Sequence, residues 1–269
     1  MDLEHHSRQS FLGEPIIQAC ERANIGIVGL GGGGSQVAQQ LAHIGFRQFA
    51  LFDPDSAERS NLSRLVGATL QDVALHKPKV AIARRMIRHI NTQTTIRSWK
   101  GRWQDNVEDL EECDIVFGCV DGFGERDQLE RFTRRNLIPY IDIGMDVFRF
   151  DSEPPRMAGQ VFISMPGHPC MRCMGFFTDE DLHREGELYG DAGPNPQVIW
   201  ANGVLASTAV GLAVGILTGW HGKNEELQWL SYDGNLGTLT HHIRSQFHNT
   251  EECPHYPLDK VGPARFQAL

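Results

Sequence analysis

Positive charge is in deficit in this chain of 269 residues: 25 Lys and Arg stand against 34 Asp and Glu, a formal net charge of −9. That balance argues against a nucleic-acid surface as the main partner. Internal repeats and low-complexity linkers are lacking. The stretch Met1 to Ser10 is polar and histidine-rich, without the apolar run of a secretory signal, so a cytoplasmic location is expected. Cysteine is sparse, at six residues, and only Cys170 and Cys173 are closely paired. This pattern excludes a disulfide framework and reads as intracellular thiols with a metal site. Long apolar runs are reduced to one, Val198 to Trp220. Asn202, Ser207, Thr208, Thr218 and four glycines make it a poor membrane span, so a buried helix and no membrane partner are expected.

What remains is an ordinary globular composition, 22% charged and 41% hydrophobic, with length for one large or two small domains. Strand-like segments at Asn24–Leu30, Gln48–Phe52, Thr94–Trp99, Asp114–Cys119 and Pro139–Ile143 alternate with helical ones at Ser35–Ile44, Pro78–Asn91 and Arg126–Asn136. That alternation predicts an α/β fold: a doubly wound, mostly parallel, Rossmann-like sheet. After about residue 150 the pattern changes. Gln160–Met165, Leu227–Tyr232 and Thr238–Ile243 read as strands of a mixed or antiparallel C-terminal extension. The expected division is an N-terminal arm or helix over 1–24, a nucleotide-binding half over 25–150, and a C-terminal half over 151–269 carrying a zinc knuckle and the long buried helix.

Gly29, Gly31 and Gly34, with Gly32 inside the turn, fit G-x-G-x-x-G between a strand and a helix. Glycine lets backbone come close to phosphate, and the helix N-terminus offers unpaired N–H groups to an anion. Asp53 ends the next strand, where a carboxylate can accept from ribose hydroxyls. NAD would satisfy these features as well as ATP, and a glycine-rich turn without a ligand is the bland alternative. Asn61, Arg64, Lys77 and Lys79 follow closely. Cations there suit attack of a carboxylate on the α-phosphorus of ATP, where charge builds on departing pyrophosphate. A solvated basic loop is the competing reading. Asp121 falls just past a strand, at the sheet edge where ligands bind in this fold class, and could hold Mg²⁺. Asp121-Gly122 is equally a good turn.

Together Gly29–Ser35, Asp53-Pro54-Asp55, Ser60-Asn61-Leu62-Ser63-Arg64, Pro78-Lys79, Cys119-Val120-Asp121 with Arg126, and Cys170-x-x-Cys173 resemble the ThiF/MoeB/HesA family, bacterial relatives of ubiquitin-activating enzymes. The resemblance covers roughly Ser7 to Trp220. It implies an ATP-dependent adenylyltransferase that activates the C-terminal glycine carboxylate of a ubiquitin-like or sulfur-carrier protein. By that resemblance Asp53 would bind ribose, Asn61, Arg64 and Lys79 the phosphates, and Asp121 Mg²⁺ and the reacting end. Lys77 has no clear family counterpart. Ser7-Arg8-Gln9 resembles an element whose arginine reaches a partner subunit's ATP site, so Arg8 would make a homodimer part of the catalytic apparatus; a disordered terminal arginine is the alternative.

The family's usual Asp-Asn is Asp121-Gly122 here. Relatives that pass the product to sulfur carry a cysteine before the long helix, and Thr178 to Asn202 has none. Cys20, Cys113 and Cys119 read as packed thiols. The chain is therefore expected to act without its own transfer cysteine. Cys170 and Cys173 form a knuckle that family members often complete with a second cysteine pair. Here Cys253-Pro254-His255 supplies one, which predicts a closed Zn²⁺ site of Cys170, Cys173, Cys253 and His255. His168 and His221 are reserve ligands, since Tyr256 stands where a second C-x-x-C would end, and a redox pair is the other reading. Three other functions compete: adenylation of a short peptide or small carboxylate, an NAD-dependent oxidoreductase, and a non-catalytic scaffold.

Overall fold

A computed structural model describes residues 7–187, 196–219, 228–246 and 253–257. Its eight strands form one sheet in the order β3-β2-β1-β4-β5-β6-β7-β8. The parallel part contains β1 (Asn24–Val28), β2 (Gln48–Phe52), β3 (Thr95–Trp99), β4 (Ile115–Gly118) and β5 (Tyr140–Phe148). The antiparallel part adds β6 (Arg156–Ser164), β7 (Trp229–Asp233) and β8 (Thr238–His241). Thus β5 belongs to both parts, parallel to β4 on one side and paired with β6 over nine residues on the other. Residue 150 lies in the connection between β5 and β6, and one sheet continues from the parallel part into the antiparallel part.

Why the central strands sit inside is visible in their composition. Ile25, Ile27 and Val28 of β1 and Ile115, Val116 and Phe117 of β4 are buried, as continuous apolar runs must be when helices cover both faces. Helix α1 (Glu14–Arg22) precedes β1, and α2 (Gly32–Ile44) follows it. The short α3 (Leu70–Ala74) and α4 (Lys79–Ile90) come between β2 and β3, and α5 (Val107–Glu111) precedes β4. Helix α6 (Phe123–Arg135) joins β4 to β5, and α7 (Asp179–Glu187) and α8 (Ile199–Thr218) lie between β6 and β7. Val80, Ile82, Ala83, Met86 and Ile87 form the buried side of α4, the side that its periodicity predicts.

The long apolar helix α8 is a core element. Ala201, Leu205, Ala206, Ala209, Val210 and Ala213 are buried in one cluster with Val37, Ala38 and Leu41 of α2, Ile141 and Ile143 of β5, and Val161 of β6. Its length and composition alone would also suit a membrane crossing, with half of its most apolar window buried inside the protein. Several boundaries differ from the sequence reading: β5 runs on to Phe148 rather than ending at Ile143, and β6 begins at Arg156 rather than Gln160. α2 begins at Gly32 rather than Ser35, and α6 at Phe123 rather than Arg126. Glycines are poor helix formers, but in a first turn they cost little when tertiary contacts hold the turn.

Candidate active site

The glycine-rich turn is built by two close approaches. Gly29 has φ +84°, and a Cβ there would lie 2.3 Å from the Cys119 carbonyl oxygen. Its N–H donates to the Phe52 carbonyl at 2.9 Å, while the Cys119 N–H donates to Val28, so β1 hands the turn directly to its neighbours. A Cβ at Gly34 would sit 1.9 Å from the Gly29 carbonyl oxygen. Only glycine lets α2 start this close to the strand end. The helix opens with no side-chain cap at Gly31, so its first N–H groups remain available to an anion.

Asp53, 4% exposed, closes the next strand end. Its carboxylate accepts from the Leu30 N–H at 2.6 Å and the Asp55 N–H at 2.8 Å. Burial pushes its pKa upward, opposed first by the charge of Lys79. Lys79 opens α4, and the chain returns there because Ser56 and Pro78 form an antiparallel bridge and the Lys79 N–H donates to the Asp55 carbonyl. The Lys79 Nζ lies 2.7 Å from Asp55 Oδ2 and 3.9 Å from Asp53 Oδ1. Arg64 follows the short 3₁₀ turn Arg59–Ser63, and the Val66 N–H donates to Ser35 Oγ at 3.0 Å, fixing that loop over α2.

These groups face one cavity of about 750 Å³ at the C-terminal ends of the parallel strands. Gly29, Gly31, Gly32, Asp53, Arg64, Lys79 and Asp121 all line it. Asp121 is exposed and its Oδ1 accepts from Gln197 Nε2 at 3.1 Å. Gly144, Met145, Gln160, Phe176 and Trp229, from β5, β6, the knuckle segment and β7, line the cavity as well. A hard-oxygen carboxylate with one oxygen uncommitted among the described residues suits Mg²⁺.

Four residues that the sequence offered for the nucleotide site stand off the cavity wall. Gly34 is spent on packing. Asn61 is 8% exposed, and its Oδ1 accepts from the Glu58 N–H at 3.0 Å as half of a reciprocal cap on the 3₁₀ turn; among the described residues it shapes the Arg64 loop and does not face the cavity. Arg8 is exposed and outside the wall of its own chain's cavity. Lys77 also faces away, with Nζ 3.7 Å from Asp72.

Sequence reading named Arg126 only as part of a motif, without a role, and missed Glu185 altogether. Arg126 is buried in the cavity wall. Its Nη1 donates to Asp142 Oδ2 at 2.8 Å and its Nη2 to the Val120 carbonyl at 2.7 Å, while the Tyr140 hydroxyl donates to Asp142 Oδ1 at 3.0 Å. This clamps the segment that carries Asp121. Glu185 of α7 also lines the cavity, accepting from the Phe123 and Gly124 N–H groups at 2.9 and 2.7 Å. It caps α6, whose own N-cap, Gly122, has no side chain. Burial pushes the Glu125 carboxyl upward. No sequence pattern pairs residues 185 and 123; only the fold brings them together.

The other end of α6 anchors the knuckle. Arg134 donates from Nη1 and Nη2 to the His168 and Pro169 carbonyls at 2.7 and 2.9 Å, and Glu130 accepts from the Met171 N–H at 2.8 Å. Ligand atoms of Cys170, Cys173, Cys253 and His255 all lie within 4.8 Å of one another. Cys173 Sγ is 3.5 Å from Cys253 Sγ and 3.3 Å from His255 Nδ1. Three sulfurs and one imidazole nitrogen so disposed fit a closed tetrahedral zinc site. His221 lies outside the described residues. Cys20 and Cys113 are packed, and burial pushes their thiols up to about 11 and about 12; burial raises Cys119 as well.

The ThiF family model matches residues 4–255. The chain belongs to the ThiF family. Its relatives include the molybdopterin-synthase adenylyltransferase of Salmonella typhimurium, 33% identical over 169 residues, 61% of this chain and 63% of that protein. The match thus spans less than two thirds of that relative. The vegetative HesA protein of Trichormus variabilis is 26% identical over 95% of this chain and 92% of its own length. Among solved structures, the microcin C7 biosynthetic enzyme MccB with N-formylated MccA superposes with TM-score 0.73 at 19% identity, covering 90% of this chain and 72% of MccB. E. coli MccB with ATP gives 0.70 at 20% identity, covering 88% and 71%. At that identity the likeness concerns the fold, which this ThiF-family chain shares.

Proposed function

We propose that this protein is an ATP-dependent adenylyltransferase acting on the C-terminal carboxylate of a ubiquitin-like or sulfur-carrier protein that ends in glycine. The observation that carries this reading is the meeting of an anion-binding helix start, Asp53, Arg64, Lys79 and Asp121 in one cavity with free space beyond them. Relatives named as adenylyltransferases of molybdopterin synthase and of the sulfur carrier ThiS support it.

In this mechanism Asp53 receives ribose hydroxyls, and the N–H groups at the start of α2 hold phosphate. The acceptor enters from the side of Gly144, Gln160 and Trp229. A carboxylate oxygen attacks the α-phosphorus, the bond to the bridging oxygen breaks, and pyrophosphate leaves with the electron pair. Arg64 and Lys79 neutralise the charge that grows on the leaving oxygens. Asp121 would hold Mg²⁺, which when bound supplies further charge neutralisation on phosphate oxygens. Cys170, Cys173, Cys253 and His255 would hold zinc as a structural ion. With Cys20, Cys113 and Cys119 packed as thiols, the reaction stops at the acyl-adenylate or passes it to a thiol on another protein. Arg8, exposed and away from its own cavity, would complete the site of a second subunit in a homodimer.

Carrier-dependent ATP–pyrophosphate exchange tests the reading. Removing one such electrostatic group costs about 10²–10³-fold in rate, so Arg64→Ala with Asp121→Ala should silence exchange. Exchange that persists in the double variant defeats these roles. Mixed Arg8→Ala and Arg64→Ala chains should regain activity if Arg8 acts across a dimer. A second reading, adenylation of a short peptide, draws on the fold shared with MccB, solved with MccA. It gains if a peptide sustains exchange as well as the folded carrier does. An NAD-dependent oxidoreductase leaves Arg64 and Lys79 without a task; NAD binding without ATP binding would restore it.

A further inference from the structure

Asn202 is a polar side chain, 5% exposed, in the first turn of a mostly apolar core helix. Burying an amide is unfavourable unless its donors and acceptor are used. Its Nδ2 donates to the Val198 carbonyl at 3.1 Å. Because a carbonyl can only accept, that bond fixes which end of the amide is nitrogen. Among the described residues it is the one hydrogen bond the amide makes. The second N–H on Nδ2 is therefore left to point elsewhere.

Where it points is set by Gly32. A Cβ on Gly32 would lie 2.6 Å from Asn202 Nδ2 and 3.3 Å from Arg64 Cδ. The amide and the arginine thus converge on the same Cα from two different segments, and all three residues line the cavity. Gly32 belongs to the first turn of α2, whose N–H groups have no partner inside the helix. The start of α8 is held in place for this: Gln36 Nε2 donates to the Ile199 carbonyl at 2.9 Å, and Gln197 Nε2 to Asp121 at 3.1 Å.

We propose that Asn202 is a phosphate-binding residue of the nucleotide site, donating its second Nδ2 N–H to a phosphoryl oxygen held between Gly32 and Arg64. This rests on the ATP reading above and extends it, since it ties the C-terminal helix to the nucleotide. It also gives Gly32 a reason to be glycine: any side chain there would displace the amide.

Equilibrium binding of ATP and of adenosine to the full chain and to Asn202→Ala and Asn202→Asp tests it, with titration calorimetry for ATP and NMR titration for adenosine. Losing one hydrogen bond to a charged group should weaken ATP about tenfold to hundredfold. Asn202→Asp, the same shape with a negative charge, should weaken ATP further. Adenosine affinity should stay within about twofold in both, since no phosphate is present. Unchanged ATP affinity in both variants overturns the proposal, as does equal loss of ATP and adenosine, which would mean packing alone. If the native chain binds adenosine and ATP equally, or binds no ATP, the nucleotide reading falls with it. Native ATP binding with unaffected variants removes Asn202 only.

Discussion

Substituting Gly34 by alanine sets two effects against each other. In a helix interior alanine is favoured over glycine by about 1 kcal/mol. Here the new Cβ would meet the Gly29 carbonyl oxygen at 1.9 Å, and the carbonyl carbon at 2.9 Å. Carbon and carbonyl oxygen approach to about 3.3 Å, so the helix start must retreat by about 1.4 Å. It cannot do so freely, because Val37, Ala38 and Leu41 of the same helix are fully buried against α8 and the sheet. Overpacking of this kind costs about 1–3 kcal/mol, which exceeds the propensity gain, so the variant should be less stable than the native chain. A displacement of about 1 Å near reacting groups costs about 10²-fold, so exchange should fall by about two orders of magnitude. Gly211→Ala is the control: a Cβ there meets nothing within 4 Å, and it should stabilise by about 0.5–1 kcal/mol. Thermal unfolding and pyrophosphate exchange report the two outcomes. A Gly34→Ala protein as stable and as active as the native one would refute the close-packing account of the turn.

Arg126→Met removes the partner of Asp142, whose side chain is fully buried, and should cost about 3–5 kcal/mol at neutral pH. Burial already pushes the Asp142 carboxyl upward, with Arg126 the main opposing influence. Without Arg126 it rises further. A group whose folded pKa is raised stabilises most below its unfolded value of about 3.9 and loses that contribution as pH rises. The deficit of the variant should therefore narrow in acid, and denaturant midpoints across pH would show a constant gap if the pair is unimportant. For the knuckle, one zinc per chain is expected by elemental analysis, and Cys170→Ser or a strong chelator should remove it. Metal loss should lower the melting temperature, since Cys173 and Cys253 are 80 positions apart in the chain and their closure by the ion is part of folding. Full zinc in Cys170→Ser would disprove the ligand set.

Much of the parallel half could be read from the chain because its signals are local. Apolar runs bounded by turns gave β2 its observed limits, and the glycine spacing marked a strand–turn–helix junction. Asp53, Lys79 and Asp121 line one cavity because each follows a strand or opens a helix on the same edge of the sheet, and Arg64 joins them from the 3₁₀ turn that follows Asp53. Asn61 shows a limit of such reading: its Oδ1 accepts from the Glu58 N–H. An amide in a loop can serve a ligand or its own backbone, and nothing in the residue type says which.

The sequence by itself determined the strand–helix alternation and the phosphate-type turn, and it singled out the Cys/His cluster, since each depends on residues near in the chain or on chemistry few side chains possess. Tertiary structure alone decided that Arg126 is spent on Asp142, that Glu185 caps α6, and that Asn202 sits against Gly32. Those pairings join residues 16, 62 and 170 positions apart. The alternating pattern that buries a helix does not specify which polar atom of a distant segment will meet it; only the packing of α8 and α7 on the sheet does.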